Sequence, residues 1–214
     1  MFPNDFTPHE SVSYHYYKWI KDGVFERVNI ELNKLYRAEV GREETPSALI
    51  VDSQTAAASS AGGPAEYDGN KKKKSRKRNV RVDTLGLAGF VFINEANIHD
   101  LQGAKAMFMA ANGKENFKRV ALVFADAGYR GEAVEAAAAE NGRKIVIATG
   151  EKGKFVVIRK RRGGERTFGG FHTSRSLSRD YERTLAGSET MIYIRMIRLN
   201  VRKLCKEREL KSAA

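Results

Sequence analysis

Apolar and polar positions change period several times along this chain, and each change marks an element. Near the N-terminus Val12, Tyr16, Trp19 and Ile20 recur at helical spacing, Gly23 interrupts, and Phe25, Val28, Leu32, Leu35 and Tyr36 form a second stripe. The preceding "TPHE" predicts how the first helix starts, with Thr7 as cap, Pro8 at the first helical position and Glu10 closing a capping box. Two helices around a glycine fit either a helix-turn-helix DNA reader or an αα-hairpin packed on a larger domain. From Ser47 the period shortens: "SALIVDSQ" predicts a short apolar strand ending on Asp52, and the polar stretch from Thr55 to Asn70 reads as a loop. Val80 and Val82, with the apolar run from Leu87 to Ile93, predict a β-hairpin turned near Gly86.

The second half alternates. Residues 100–112 read as a helix with Leu101, Ala104 and Phe108 inward, and "RVALVFADAGYRG" reads as a buried strand that delivers Asp126 at its tip and turns at once through Gly128. "GEAVEAAAAENG" predicts a helix closed by Asn141 and Gly142. "RKIVIATG" is another strand, and "KFVVIRKRR" begins as one before turning basic. "ERTFGGFHTSRSLSRDYERT" and "SETMIYIRMIRLNVRKLCKEREL" read as helical, the latter with Ile194, Ile197, Val201 and Leu204 on one stripe. This succession predicts an α/β domain rather than a bundle or a sandwich. The chain shows no internal repeat.

Its 214 residues suffice for one domain with a full core and a small helical appendage. Lys and Arg number 38 against 26 Asp and Glu, a net charge of +12, which favours a polyanionic partner: nucleic acid or an anionic membrane surface. No run approaches the roughly 18 apolar residues of a spanning helix, and "MFPNDFTPHE" is no signal peptide, so a soluble intracellular protein is expected. The single cysteine, Cys205, excludes an internal disulfide and a Cys-based zinc site, and is expected as a small core residue of the last helix.

Two constellations could carry chemistry. Asp52 and Asp126 each end an apolar strand, and Glu165 opens a basic helix. Acids at adjacent strand ends can converge on a divalent cation, and hard oxygen ligands suit magnesium or manganese in phosphodiester chemistry. The plainer alternative is that strand-ending aspartates start turns. The basic material forms three clusters. The run at 71–81 carries eight basic residues in eleven positions, among them Lys71, Lys72, Lys73, Lys74, Arg76, Lys77 and Arg78. "RKRR" at 159–162, with Arg161 and Arg162, stands close to Arg166, and Arg195, Arg198 and Arg202 follow in the last helix. Counterion release lets such clusters hold nucleic-acid phosphates, although a charge run is often only a solvated face. The histidines lack metal-ligand spacing, "GEKGK" falls short of a phosphate loop, and no serine sits in a GxSxG elbow.

Read together, "PNDFTPHESVSYHYYKWIKDGVFERV", "ALIVDSQT", "GGPAEYDGNKKKKSRKRNVRVDTLGL", "VFADAGYRG", "ERTFGGFHTSRSLSRDYER" and "SETMIYIRMIRL" make the chain resemble bacterial insertion-sequence transposases of the DDE type, nearest the insertion sequence five family. The resemblance runs from about Pro3 to Leu204. It implies a ribonuclease-H-like mixed sheet flanked by helices, with Asp52, Asp126 and Glu165 as catalytic acids holding two magnesium or manganese ions and no organic cofactor. The implied reaction is cleavage at transposon ends and strand transfer into target DNA. The implied partners are double-stranded DNA, both terminal inverted repeats and target, and a second subunit on paired ends, with no membrane. A bacterial cytoplasmic, nucleoid-associated location follows. Arg166, Arg175, Asp180 and Tyr181 match the family's signature helix, with Arg166 and Arg175 expected near DNA phosphates.

The expected organisation is an N-terminal helical region over 1–45, a shortened DNA-end-binding part, then a catalytic domain over 46–208 and a tail over 209–214. Relatives have a longer region before "PNDF", apolar residues where this chain has Gly163 and Gly164, an aromatic where it has Gly170, and charged residues in place of "SQTAAASSAGGP". Each glycine costs a helix roughly 1 kcal/mol relative to alanine. These departures motivate two rivals: a catalytically impaired DNA-binding derivative, and a nuclease without joining activity.

Overall fold

A six-stranded mixed sheet runs through the middle of the protein, and its strand directions follow from how its segments are connected. The structure is a computed structural model that describes residues 6–59, 63–68, 73–95, 115–147, 167–171 and 173–212. Strand β1 (Ala48–Ala57) lies at the centre. It pairs antiparallel with β3 (Lys73–Asp83), which pairs antiparallel with β4 (Ala88–Glu95) through the expected turn at Gly86, where φ is +75°. On its other side β1 pairs parallel with β5 (Leu122–Ala125), and β5 pairs parallel with β6 (Lys144–Ile147). The short β2 (Glu66–Asp68) extends the sheet beside the start of β3. Three antiparallel strands followed by two parallel ones, with helices on both faces, is the ribonuclease-H-like α/β arrangement expected.

Each face of the sheet buries its own apolar cluster. On one side Leu49, Val51, Val123 and Ala125 pack with Phe90 and Phe117 and with Val134 and Ala138 of α3 (Glu132–Glu140), the predicted alanine-rich helix. On the other, Ile50, Val80, Val82 and Phe124 pack beneath Phe168 and Phe171 and beneath Ile192, Tyr193 and Met196 of α4 (Leu185–Ser212). Strand alternation sends odd and even residues of β1 to opposite clusters, which is why its apolar run is continuous. Helix α4 also covers the β4 edge: Val91 N donates to the Tyr193 hydroxyl (3.1 Å) and Ile93 N to Glu189 Oε1 (2.9 Å). The amides of an otherwise open edge strand are thereby satisfied.

Several expectations require correction. Helix α1 (His9–Lys21) begins after Pro8, with no side-chain cap from Thr7, and α2 (Val24–Glu39) follows Gly23 in the left-handed region at φ +64°. The buried face of α2 is polar. Asn29, Asn33 and Arg37 point inward while Val28 and Leu35 are exposed, so α2 packs as an arm of a hairpin against α4 and β4. Strand β1 does not stop at Asp52 but continues five residues to Ala57, because β3 is long enough to pair with it as far as Ser75. The basic run is itself strand from Lys73 onward. The stretch around 167–184 is helical only at 167–171 and in a short 3-10 turn, Arg175–Leu177. On α4 the buried stripe is Ile192, Tyr193, Met196, Asn200 and Leu204; of the predicted stripe only Leu204 is buried. Cys205 is exposed. The helix expected at 100–112 and the strand expected in "KFVVIRKRR" lie outside the described residues.

Candidate active site

The pairing register brings the first two acids together. Leu49 pairs with Val123 and Ile50 with Phe124 across the parallel β1–β5 ladder. Continuing that register by two residues sets Asp52 beside Asp126 at the carboxyl end of β5. Since residues two apart share a face, Asp52 lies on the side of Ile50, and Asp126, whose backbone is extended, on the side of Phe124. Both belong to the face covered by α4 and the 167–171 segment. Buried apolar residues precede each acid, so each is the point where its strand first meets solvent: Val51 is 2 % exposed, Ala125 2 %, and both aspartates are half-buried.

Each carboxylate is oriented by a neighbouring amide. Asp52 Oδ1 accepts from Ser53 N at 2.8 Å. Asp126 caps the 3-10 turn Ala127–Tyr129, its Oδ1 accepting from Gly128 N at 3.0 Å. Tyr129, 1 % exposed, anchors that turn in the core. Asp126 is therefore both a turn starter and a positioned carboxylate. Two hard-oxygen donors in register on adjacent parallel strands fit a magnesium-type cation. Among the described residues no group of three or more acidic, histidine or cysteine side chains gathers.

Glu165 lies outside the described residues, as do Lys71, Lys72, Arg161, Arg162 and Arg166. Thr167, two positions past Glu165, is buried on Asp52's face, its Oγ1 donating to Gly86 O at 3.0 Å. That turn lies beyond Asp83, which pairs with Leu49, about three residues or roughly 10 Å down β1 from Asp52.

The basic run divides between exposed and buried positions. Lys74 is exposed and Lys77 half-buried, but Arg76 and Arg78 share a face with Val80 and Val82 and are 0 % and 2 % exposed. Arg76 donates to Pro64 O (2.6 Å), Glu182 O (2.8 Å), Asp180 Oδ1 (2.9 Å) and Ser188 Oγ (2.7 Å), and Ser188 Oγ donates in turn to Asp180 (2.7 Å). Arg78 donates to Leu177 O (2.8 Å) and Arg179 O (3.1 Å). Burial holds the Arg78 guanidinium below its ordinary pKa, with Asp180 opposing. Both arginines expected at DNA are internal in this structure, where they stitch the 177–182 segment to the sheet. Asp180 completes the join through a parallel bridge with Ala58. Gly63 fits against this clip because it has no side chain; a Cβ there would stand 2.0 Å from Arg183 O.

Asp180, which the resemblance placed in the signature helix, is thus a buried structural residue, and Ser188 is one the sequence reading missed. Their signal was the shared parity of Arg76 and Arg78 with two valines. Arg175 and Tyr181 are exposed.

A mixed sheet presenting one carboxylate within its central strand and another just past the end of the parallel strand beside it belongs to the class of α/β domains with a candidate metal site on the sheet. More specifically, the chain belongs to the transposase DDE domain family, whose model matches residues 43–201. DNA transposition is the activity that family implies. No curated protein matches the chain. Among solved structures, a "Mos1 transposase paired-end complex with left transposon end" aligns at 8 % identity with a TM-score of 0.34, over 97 % of this chain and 65 % of that one. The chain thus spans just under two thirds of that protein's length.

Proposed function

We propose that this chain is the catalytic domain of an insertion-sequence transposase of the insertion sequence five type, cutting transposon ends and joining them to target DNA. The observation that carries the reading is the pairing of Ile50 with Phe124, each two residues before an aspartate, in a chain of the DDE family. Asp52, Asp126 and Glu165 would hold the magnesium or manganese ions. When bound, these supply Lewis-acid stabilisation of the attacking and leaving oxygens. The protein's part is to fix the carboxylates by the Ser53 and Gly128 amides and to hold the DNA backbone by Lys74, Lys77 and Arg175. In the first step a water oxygen bonds to phosphorus and the 3′-oxygen leaves. In the second, that 3′-hydroxyl attacks a target phosphodiester and displaces its 3′-oxygen. Double-stranded DNA, a second subunit on paired ends and a bacterial cytoplasmic location belong to the same reading.

Asp126→Asn should abolish magnesium-dependent cleavage and strand transfer on end-bearing DNA, a fall of at least a thousand-fold in rate or a rise of about 4 kcal/mol in barrier, while leaving gel-shift affinity within a few-fold. Unchanged strand transfer would sink the assignment. One observation favours a second reading, a DNA-binding derivative with impaired chemistry: the described helical stretch that follows Glu165 in the chain, 167–171, contains both Gly169 and Gly170, each of which weakens a helix. Wild-type DNA binding without cleavage in magnesium or manganese would select it.

A further inference from the structure

Helix α4 has a face that the proposed catalytic chemistry does not use. Arg195, Arg198, Arg202 and Lys206 stand at spacings of three, four and four residues, which align them along one side of the helix, opposite no acid until Glu209. Arg198, Arg202 and Lys206 are exposed, and Arg195 half-buried. Among the described residues none of the four forms an ion pair with a carboxylate, whereas Arg208 and Lys211, on another side of the same helix, both engage Glu39. Like charges at these spacings weaken a helix, so an unpaired row has a cost that a polyanion would offset. Burial, and after it the neighbouring charges of Arg198 and Arg202, hold the Arg195 guanidinium below its ordinary pKa.

The row is also tied to the rest of the site. Arg195 donates from Nε to Gly170 O (3.2 Å) and from Nη2 to Thr173 Oγ1 (2.8 Å), which joins it to the helical stretch 167–171 and the residues before Arg175. From Arg195 to Lys206 the helix rises about 16 Å, the length of about five nucleotides of one DNA strand.

We infer that this face of α4 is a sequence-independent docking surface for the phosphate backbone of double-stranded DNA, on the same side of the sheet as Asp52. The inference rests on the transposase reading and adds which surface carries the duplex. Guanidinium groups at this spacing grip phosphates without reading bases.

The test measures binding of full-length wild type and Arg198→Gln/Arg202→Gln to a random-sequence duplex across a salt series, with folding checked by circular dichroism. Loss of two phosphate contacts should reduce the slope of log affinity against log salt by about 1.8 and weaken binding equally on all sequences. Arg198→Glu/Arg202→Glu should weaken it further. A folded double variant with the wild-type slope overturns the surface while leaving the transposase reading intact; a wild type that binds no duplex overturns both. Loss of binding to phosphatidylserine vesicles with duplex binding unchanged would assign the face to a membrane and also overturn the inference.

Discussion

Arg76 shows how a single side chain can be charged, buried and useful at once. Its guanidinium has lost water but gained two backbone carbonyls, a carboxylate and a hydroxyl. Removing one partner leaves a buried charge without compensation, so Asp180→Ala should cost about 3–5 kcal/mol in urea denaturation. Replacing both members by apolar residues of similar size, as in Arg76→Met/Asp180→Leu, should cost clearly less. If the two variants are equally destabilised, packing rather than charge governs the site. Sequence alone placed Arg76 among DNA ligands because a run of eight cations reads as surface. What it could not supply was that the segment from Leu177 to Ser188 closes over the face of β3 to which Arg76 and Arg78 point. The apolar run leading to Asp126 was legible for the opposite reason, as a strand ending in an acid is a local pattern that needs no partner to be read, whereas the same pattern at Asp52 misled because β3 extends β1 to Ala57.

At the level of elements, helix α2 is held by polar recognition. Asn29 and Asn33 both donate to Ala88 O, at 2.7 and 2.8 Å, and Asn200 of α4 donates to Asn33 Oδ1 at 2.7 Å and Asn29 Oδ1 at 3.3 Å. Arg37 pairs with Asp83, which also caps the β3–β4 turn by accepting from Leu85 N and Leu87 N. Asn33→Ala should therefore cost about 1–3 kcal/mol by leaving buried groups unpaired. Leu35→Ala, at a position 53 % exposed, should stay within about 0.5 kcal/mol. Periodicity alone predicts the reverse order, which is why the α2 and α4 stripes were misplaced: hydrophobic spacing does not weigh an asparagine ladder. The far end of α4 is fastened differently. Lys211, hydrogen-bonded to Glu39, and Arg208 hold the Glu39 carboxyl below its ordinary value. An acid with a lowered folded-state pKa contributes stability above its unfolded value, near 4.5, and loses it as pH falls through the folded value. Amide exchange at residues 208–212 should accordingly accelerate on acidification below about 4.5, ahead of residues 192–204, and Glu39→Gln should remove that pH step.

For the whole molecule, the site and the fold pull in opposite directions. The sheet sets Asp52, midway along β1, and Asp126, just past the end of β5, on one face of adjacent parallel strands, where like charges raise the free energy of the native state. A cation that binds only the native arrangement offsets this, and mass action then adds to stability as its concentration rises. At a hundredfold excess over the dissociation constant the gain is about 2.7 kcal/mol, or roughly 5–10 °C in melting temperature for a chain of this size. Magnesium titrated into the wild-type protein without DNA should therefore raise its melting temperature, and a chelator should reverse the rise. Asp126→Asn should behave as a site residue and not as a fold residue: in chelator it should melt at or above the wild-type temperature, since one of two facing anions is gone, and magnesium should no longer shift it. An undiminished shift in that variant would remove Asp126 from the metal site, whereas a variant that melts well below wild type in chelator would make its cap to Gly128 the reason for its presence.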